Sequence, residues 1–194
     1  MERVARIAGI VLAIWVTAVS ANMGSMIFGV SESADISAET GELTHSRVLL
    51  SFDISGLPEE AVIWYAALRL VDEEGVPWEK EYVPVHVVPV TSSWDPETVT
   101  WDGPTSGEDW DIPGGDMDES RIASRVLLLK AGTPAKFVLT TTVREWHSGT
   151  RRNNGLIAIM QDIADLQDIT QYFNAETLKP SLEIRYILPT TDAP

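Results

Sequence analysis

Apolar and polar residues alternate with period two along much of the chain. Between Arg47 and Asp53, Val48, Leu50 and Phe52 fall on one face, and Arg47, Ser51 and Asp53 fall on the other. That is the pattern of a half-buried strand. Ser55 to Pro58 breaks it. Ala61 to Val71 alternates again, with Val62, Trp64, Ala66, Leu68 and Leu70 in phase and Tyr65 and Arg69 opposite. This phase places Trp64 on the core face. Tyr82 to Val90 is β-branched, and Pro84 and Pro89 assign it to an edge. Ile122 to Lys130, Phe137 to Val143 and Gly155 to Met160 read as further strands. A last strand puts Leu182, Ile184 and Tyr186 on one face, with Glu183 and Arg185 opposite. Asp72 to Glu81 and Asp95 to Glu119 are polar and rich in turn residues, so they read as loops. Val143 to His147 makes one helical turn, and Ile163 to Ile169 is a second candidate. Short strands with turn chemistry between them predict an all-β protein. The expected architecture is a two-sheet antiparallel β-sandwich of jelly-roll type with one or two short helical turns.

The N-terminus follows a different logic. Arg3 and Arg6 precede an apolar run from Ile7 to Val19, and Val19-Ser20-Ala21 offers small or aliphatic residues to a peptidase. This is the three-part pattern of a secretory signal. It predicts removal of residues 1–21, with an uncleaved anchor as the alternative. Residues 22–189 then form a single domain, and residues 190–194 a short tail.

Composition narrows the chemistry. The 194 residues hold 14 Lys+Arg and 29 Asp+Glu, a formal net charge of −15. Nucleic acid and anionic bilayers need a basic partner surface, so neither is expected; a membrane would be met only through an uncleaved N-terminal segment. No cysteine is present, which excludes disulfides, thiolate catalysis and cysteine metal sites. An exported chain without cysteine points to a prokaryotic-type secreted or cell-surface protein.

Several segments, in order, carry a resemblance. They are Arg47 to Pro58 (RVLLSFDISGLP), Ala67 to Leu70 (ALRL), Val90 to Trp94 (VTSSW) and Val99 to Trp101 (VTW). Trp110 to Asp118 (WDIPGGDMD), Val143 to Trp146 (VREW), Asn153 to Leu156 (NNGL) and Pro180 to Tyr186 (PSLEIRY) follow. Together they resemble the DNRLRE domain, a family of secreted, carbohydrate-binding-module-like β-sandwiches, over about residues 27–187. The resemblance implies a secreted module that handles carbohydrate. The chain departs from the family near its end, where Phe173-Asn174-Ala175-Glu176 keeps only the Phe and the Glu of a Phe-x-Ser-Arg-Glu pattern.

Four chemistries compete. Six acidic residues lie between Glu108 and Glu119 around Gly114-Gly115, and Asp109, Asp111, Asp116 and Asp118 form a candidate calcium site. The alternative is a solvated acidic loop. Trp78 and Trp110 sit among polar neighbours and are candidate sugar platforms, the alternative being loop anchors. Trp94, Trp101 and Trp146 read as core. Arg144, His147, Arg151 and Arg152 form a basic island suited to the carboxylates of an acidic polysaccharide, the alternative being pairing with the protein's own acids. Catalysis has the least support: no nucleophile elbow accompanies His147, and carboxylate pairs are uninformative in so acidic a chain. The expected function is non-catalytic binding of an extracellular polysaccharide or cell-surface glycan, assisted by calcium. The main alternative is a structural or adhesion module, which would show a long unpaired edge strand or a flat apolar patch. A small polysaccharide-degrading enzyme ranks last.

Overall fold

The computed structural model describes residues 21–40, 43–71, 83–127, 134–160 and 173–189. The expected signal segment, the loop with Trp78, the candidate helix at Ile163 to Ile169 and the C-terminal tail lie outside these, apart from Ala21. Among the described residues, nine strands form two antiparallel sheets. They are β1 (Ala21–Gly29), β2 (Glu32–Thr40), β3 (Leu43–Ser51), β4 (Val62–Leu70), β5 (Val83–Pro89), β6 (Ala123–Leu127), β7 (Ala135–Val138), β8 (Leu156–Met160) and β9 (Ser181–Pro189). One sheet has the order β1-β9-β4-β7, the other β2-β3-β8-β5-β6. With β2 set aside, the chain passes between the sheets in the expected jelly-roll order. Two short helices complete the described elements, α1 (Thr140–His147) and α2 (Ala175–Leu178), with a 3₁₀ turn at Glu119–Arg121.

The core lies between the sheets. Val48 and Leu50 of β3, Leu68 and Leu70 of β4, Val85 and Val87 of β5, Phe137 of β7 and Leu182 and Ile184 of β9 all point into it. Interdigitation of such alternating faces is what holds two sheets together. A second apolar cluster lies on the other side of the five-stranded sheet. There Leu49, Val88 and Ile157 are covered by Trp110 from the long polar loop, with Trp94, Trp101 and Met117 packed alongside. That loop therefore seals the outer face of the five-stranded sheet.

Four features differ from the sequence reading. First, β1 and β2 extend the sandwich ahead of the Arg47 strand. Second, β5 is an inner strand, between β8 and β6. Pro84 and Pro89 are tolerated because they lie at its two ends, the second and the last residue. Third, β7 stops at Val138, and Thr140 opens α1 where the pattern predicted strand through Val143.

The fourth difference is a β-bulge. Val62 and Ile63 pair with Ile187 and Tyr186, but Tyr65, not Trp64, faces Arg185. Trp64 is the extra residue. A bulge resets the in–out phase of a strand. Ile63 is therefore buried before it, and Ala66, Leu68 and Leu70 after it. Val62 and Trp64, expected in phase with the core, stand on the outer face.

Candidate functional site

Helix α1 braces the bulge. Thr140 Oγ1 accepts from the Ala66 amide at 3.0 Å, and the Leu139 amide donates to the Ala66 carbonyl at 2.9 Å. Arg144 Nε donates to the Ile63 carbonyl at 2.6 Å, where the ladder with β9 is interrupted. Arg144, exposed at the surface, thus also has a structural contact of its own. Arg144→Ala is expected to lower stability by about 1–2 kcal/mol, the size of a charge-assisted bond at a partly wet site. Urea unfolding measures this, and an unchanged midpoint would mean that water replaces the guanidinium at that carbonyl.

Around the bulge, the outer face of the four-stranded sheet is built from alternate residues of β1, β9, β4 and β7. The register aligns Met23, Ile187 and Val62 in one row and Ser25, Arg185 and Tyr65 in the next. Ile27, Glu183, Ala67 and Val138 form a third row. Trp64 is 43% exposed, and its ring lies 6.2 Å from that of Tyr65, tilted by 45°. The Arg185 guanidinium sits over both rings, 5.7 Å from the Trp64 centroid and 5.2 Å from the Tyr65 centroid. Cation–π attraction of this kind holds an aromatic pair in a fixed pose.

Next to the rings lies an ionic knot. Glu183 is buried and accepts from Lys136 Nζ at 2.7 Å and from Arg185 Nε at 2.8 Å. Arg185 Nη2 stands 2.6 Å from the same carboxylate, and Arg69 Nε stands 4.0 Å from it. The Lys136 ammonium, and after it Arg185, hold the Glu183 carboxyl below the usual range, while its burial pushes the other way. Three cations thus face one carboxylate. This sheet face is locally cationic in a chain of net charge −15.

The residues singled out from sequence go elsewhere. Trp110 is 4% exposed, packed in the second core cluster, and its Nε1 donates to the Thr100 carbonyl at 3.0 Å. It is a core residue, and the platform role assigned to it is withdrawn. Trp146 is buried as expected. Trp94 and Trp101 pack against the second cluster, Trp94 through an Nε1 bond of 2.9 Å to the Asn154 carbonyl. Trp78 lies outside the described residues.

Within the basic island, Arg151 is paired with the protein's own acids. Arg151 pairs with Asp118, and its Nε lies 3.3 Å from Glu145. Arg121, from outside the island, pairs with the same Glu145 at 2.6 Å. The buried Nε2 of His147 has no hydrogen-bond partner among the described residues. Arg152 is exposed. It lines a cleft of about 160 Å³ with Arg121, Glu145, Trp146, Arg151 and Asn154.

In the acidic loop, Gly114 and Gly115 turn the chain with φ of 90° and 116°. The turn brings the Gly114 carbonyl to Arg47 Nη1 at 2.6 Å. Asp116 is spent on Ser92 Oγ at 2.7 Å and the Ile112 amide at 3.2 Å. Asp118 accepts from Ser120 as well as Arg151, and the Ser120 hydroxyl, then Arg151, hold its carboxyl below the usual range. Asp109 and Asp111 are exposed. Among the described residues, no three carboxylate or imidazole groups converge on a metal position.

In the comparisons with known proteins, the chain matches no family model and no curated protein.

Proposed function

We propose that this domain is a non-catalytic surface module that binds an acidic extracellular polysaccharide on the outer face of its four-stranded sheet. One observation carries the reading: the bulge turns Trp64 outward beside Tyr65 and under Arg185, which Glu183 links to Lys136 and Arg69 further along the same face. Exposed rings cover the apolar faces of pyranoses, and guanidinium forks pair with carboxylates. The aromatic and cationic functions expected of separate loops coincide here on a sheet. The resemblance to DNRLRE modules supports the same class of ligand. The test is retention of the purified domain on immobilised polyuronate, with a neutral glucan as control. Binding to the polyuronate that weakens with salt is expected, because exposed charge pairs are screened. Equal retention on both matrices, or on neither, would overturn it.

A second reading, a structural or adhesion module, is favoured by a separate feature. Met23 is 79% exposed, Ile27 60% and Val62 56%, and these form an apolar border along β1 and its neighbours. Among the described residues β1 is also an edge with no second neighbour, which supports this reading.

A further inference from the structure

We propose that β1 is a self-pairing edge, through which two copies of the chain join their four-stranded sheets into one. Among the described residues the two sheets have four edges, β1, β7, β2 and β6. An open edge invites pairing with another chain, and proteins ordinarily blunt it with brevity or charge. Strand β7 has four residues and carries Lys136. Strand β6 has five and carries Arg125. Strand β2 carries Glu32 and Asp35. Strand β1 has nine residues, ANMGSMIFG, with no charge and no proline. Among the described residues this is the one long edge without charge or proline, in a chain whose net charge of −15 would otherwise keep copies apart.

The sequence of β1 is also complementary to itself. Antiparallel pairing about a twofold axis at Ser25 sets Ser25 opposite Ser25 of the second copy. It sets Met23 opposite Ile27 of the second copy, twice. Directly opposed residues point to the same face of a sheet, so the two most exposed apolar side chains of the strand would cover each other. The Ser25 hydroxyls would meet on the axis. Tyr186 already packs its ring against Gly24 at a spacing that leaves no room for a Cβ, which ties β1 to β9 on the other side. The pairing would give a continuous sheet in the order β7-β4-β9-β1-β1-β9-β4-β7.

The twofold axis is perpendicular to the sheet, so both copies present the same face on the same side. The two Trp64–Tyr65 pairs would then lie about 24 Å apart, five interstrand gaps of roughly 4.8 Å. The proposal does not rest on the glycan reading, since mass and glycan retention are measured separately.

The test uses the full chain, which has no native cysteine. Light scattering across a dilution series should give twice the chain mass, falling to one at low concentration. Opposed Cα atoms in an antiparallel pair are close enough for a disulfide. Mild oxidation should therefore cross-link Ser25→Cys into a covalent dimer and leave the β2-edge control Ser37→Cys single. Ser25→Glu and Ser25→Lys should each be monomeric alone and dimeric when mixed, since only self-pairing at Ser25 brings those charges together. A single-chain mass at every concentration would overturn the proposal. So would a dimer in which Ser25→Cys fails to cross-link, or cross-links no better than Ser37→Cys.

Discussion

Trp64→Ala is expected to reduce retention on polyuronate by at least tenfold while leaving the fold intact. The ring is nearly half exposed, and its main contacts are Tyr65 and the Arg185 guanidinium. Removing it takes away the surface that would stack on a sugar ring but opens no core cavity. A buried tryptophan truncated to alanine would cost about 3–5 kcal/mol of stability. Here the expected loss is below about 1 kcal/mol, or a few degrees in melting temperature. The two roles for this tryptophan therefore separate cleanly. Weakened retention with an unchanged melting temperature supports the platform. A large drop in melting temperature would assign Trp64 to packing and remove the basis of the glycan reading. Trp110→Ala is the natural control, because Trp110 lies in the second core cluster and its loss should be felt in stability.

Glu183→Gln is expected to destabilise the domain by about 2–3 kcal/mol and to change its acid profile. The carboxylate joins β9 to β7 through Lys136 and stands against Arg185 and Arg69. Glutamine keeps the shape but leaves the cations facing one another. Removing one partner of a fully buried pair costs about 3–5 kcal/mol. The cations here are partly exposed, so water screens some of the loss. In thermal unfolding the shift should be about 5–10 °C at neutral pH. The pH dependence follows from the lowered carboxyl of Glu183. A carboxyl that titrates lower in the folded state than in the unfolded one stabilises the fold above the unfolded value. That contribution disappears as the pH falls through the folded value. The gap between wild type and Glu183→Gln should therefore be widest near neutrality and close below about pH 4. A gap that stayed constant down to acid pH would show that the carboxylate's charge is not what holds the strands.

Much of the sandwich was legible because period-two alternation reports directly on which side chains face the core. The Arg47 strand, β9 and β4 beyond Trp64 follow it, whereas β8 is legible as a short apolar run buried on both faces. Trp64 was misplaced because one extra residue at the bulge shifts the phase, and nothing in the alternation of Val62 to Leu70 marks where. Trp110 was misplaced because Asp109 and Asp111 are its neighbours in sequence, while its neighbours in space are Leu49, Val88 and Ile157. Strands β1 and β2 escaped notice for opposite reasons. The first is continuous with the apolar run before it, and the second has weak contrast between its faces. Pro84 and Pro89 argued for an edge, since composition does not reveal that both sit at the ends of β5. The basic island looked free in sequence because Asp118, which pairs with Arg151, lies 33 residues away. The cationic face around Glu183 draws on β4, β7 and β9, so no local window contains it.

The pairing of β1 with β9 also sets an order of events. These strands lie about 160 residues apart in the chain, and among the described residues β9 is the only strand to which β1 is joined. Contacts between such distant segments form late, because the intervening chain must first be brought to order. The four-stranded sheet therefore cannot close until Ser181–Pro189 has been synthesised and released. Until then β1 and β4 have lost their common neighbour, and the uncharged first strand waits without a partner. A cut anywhere between β8 and β9 that let the last segment diffuse away would split this sheet at its centre. The last strand thus acts as the latch of the domain, and the time at which it arrives decides when the domain becomes whole.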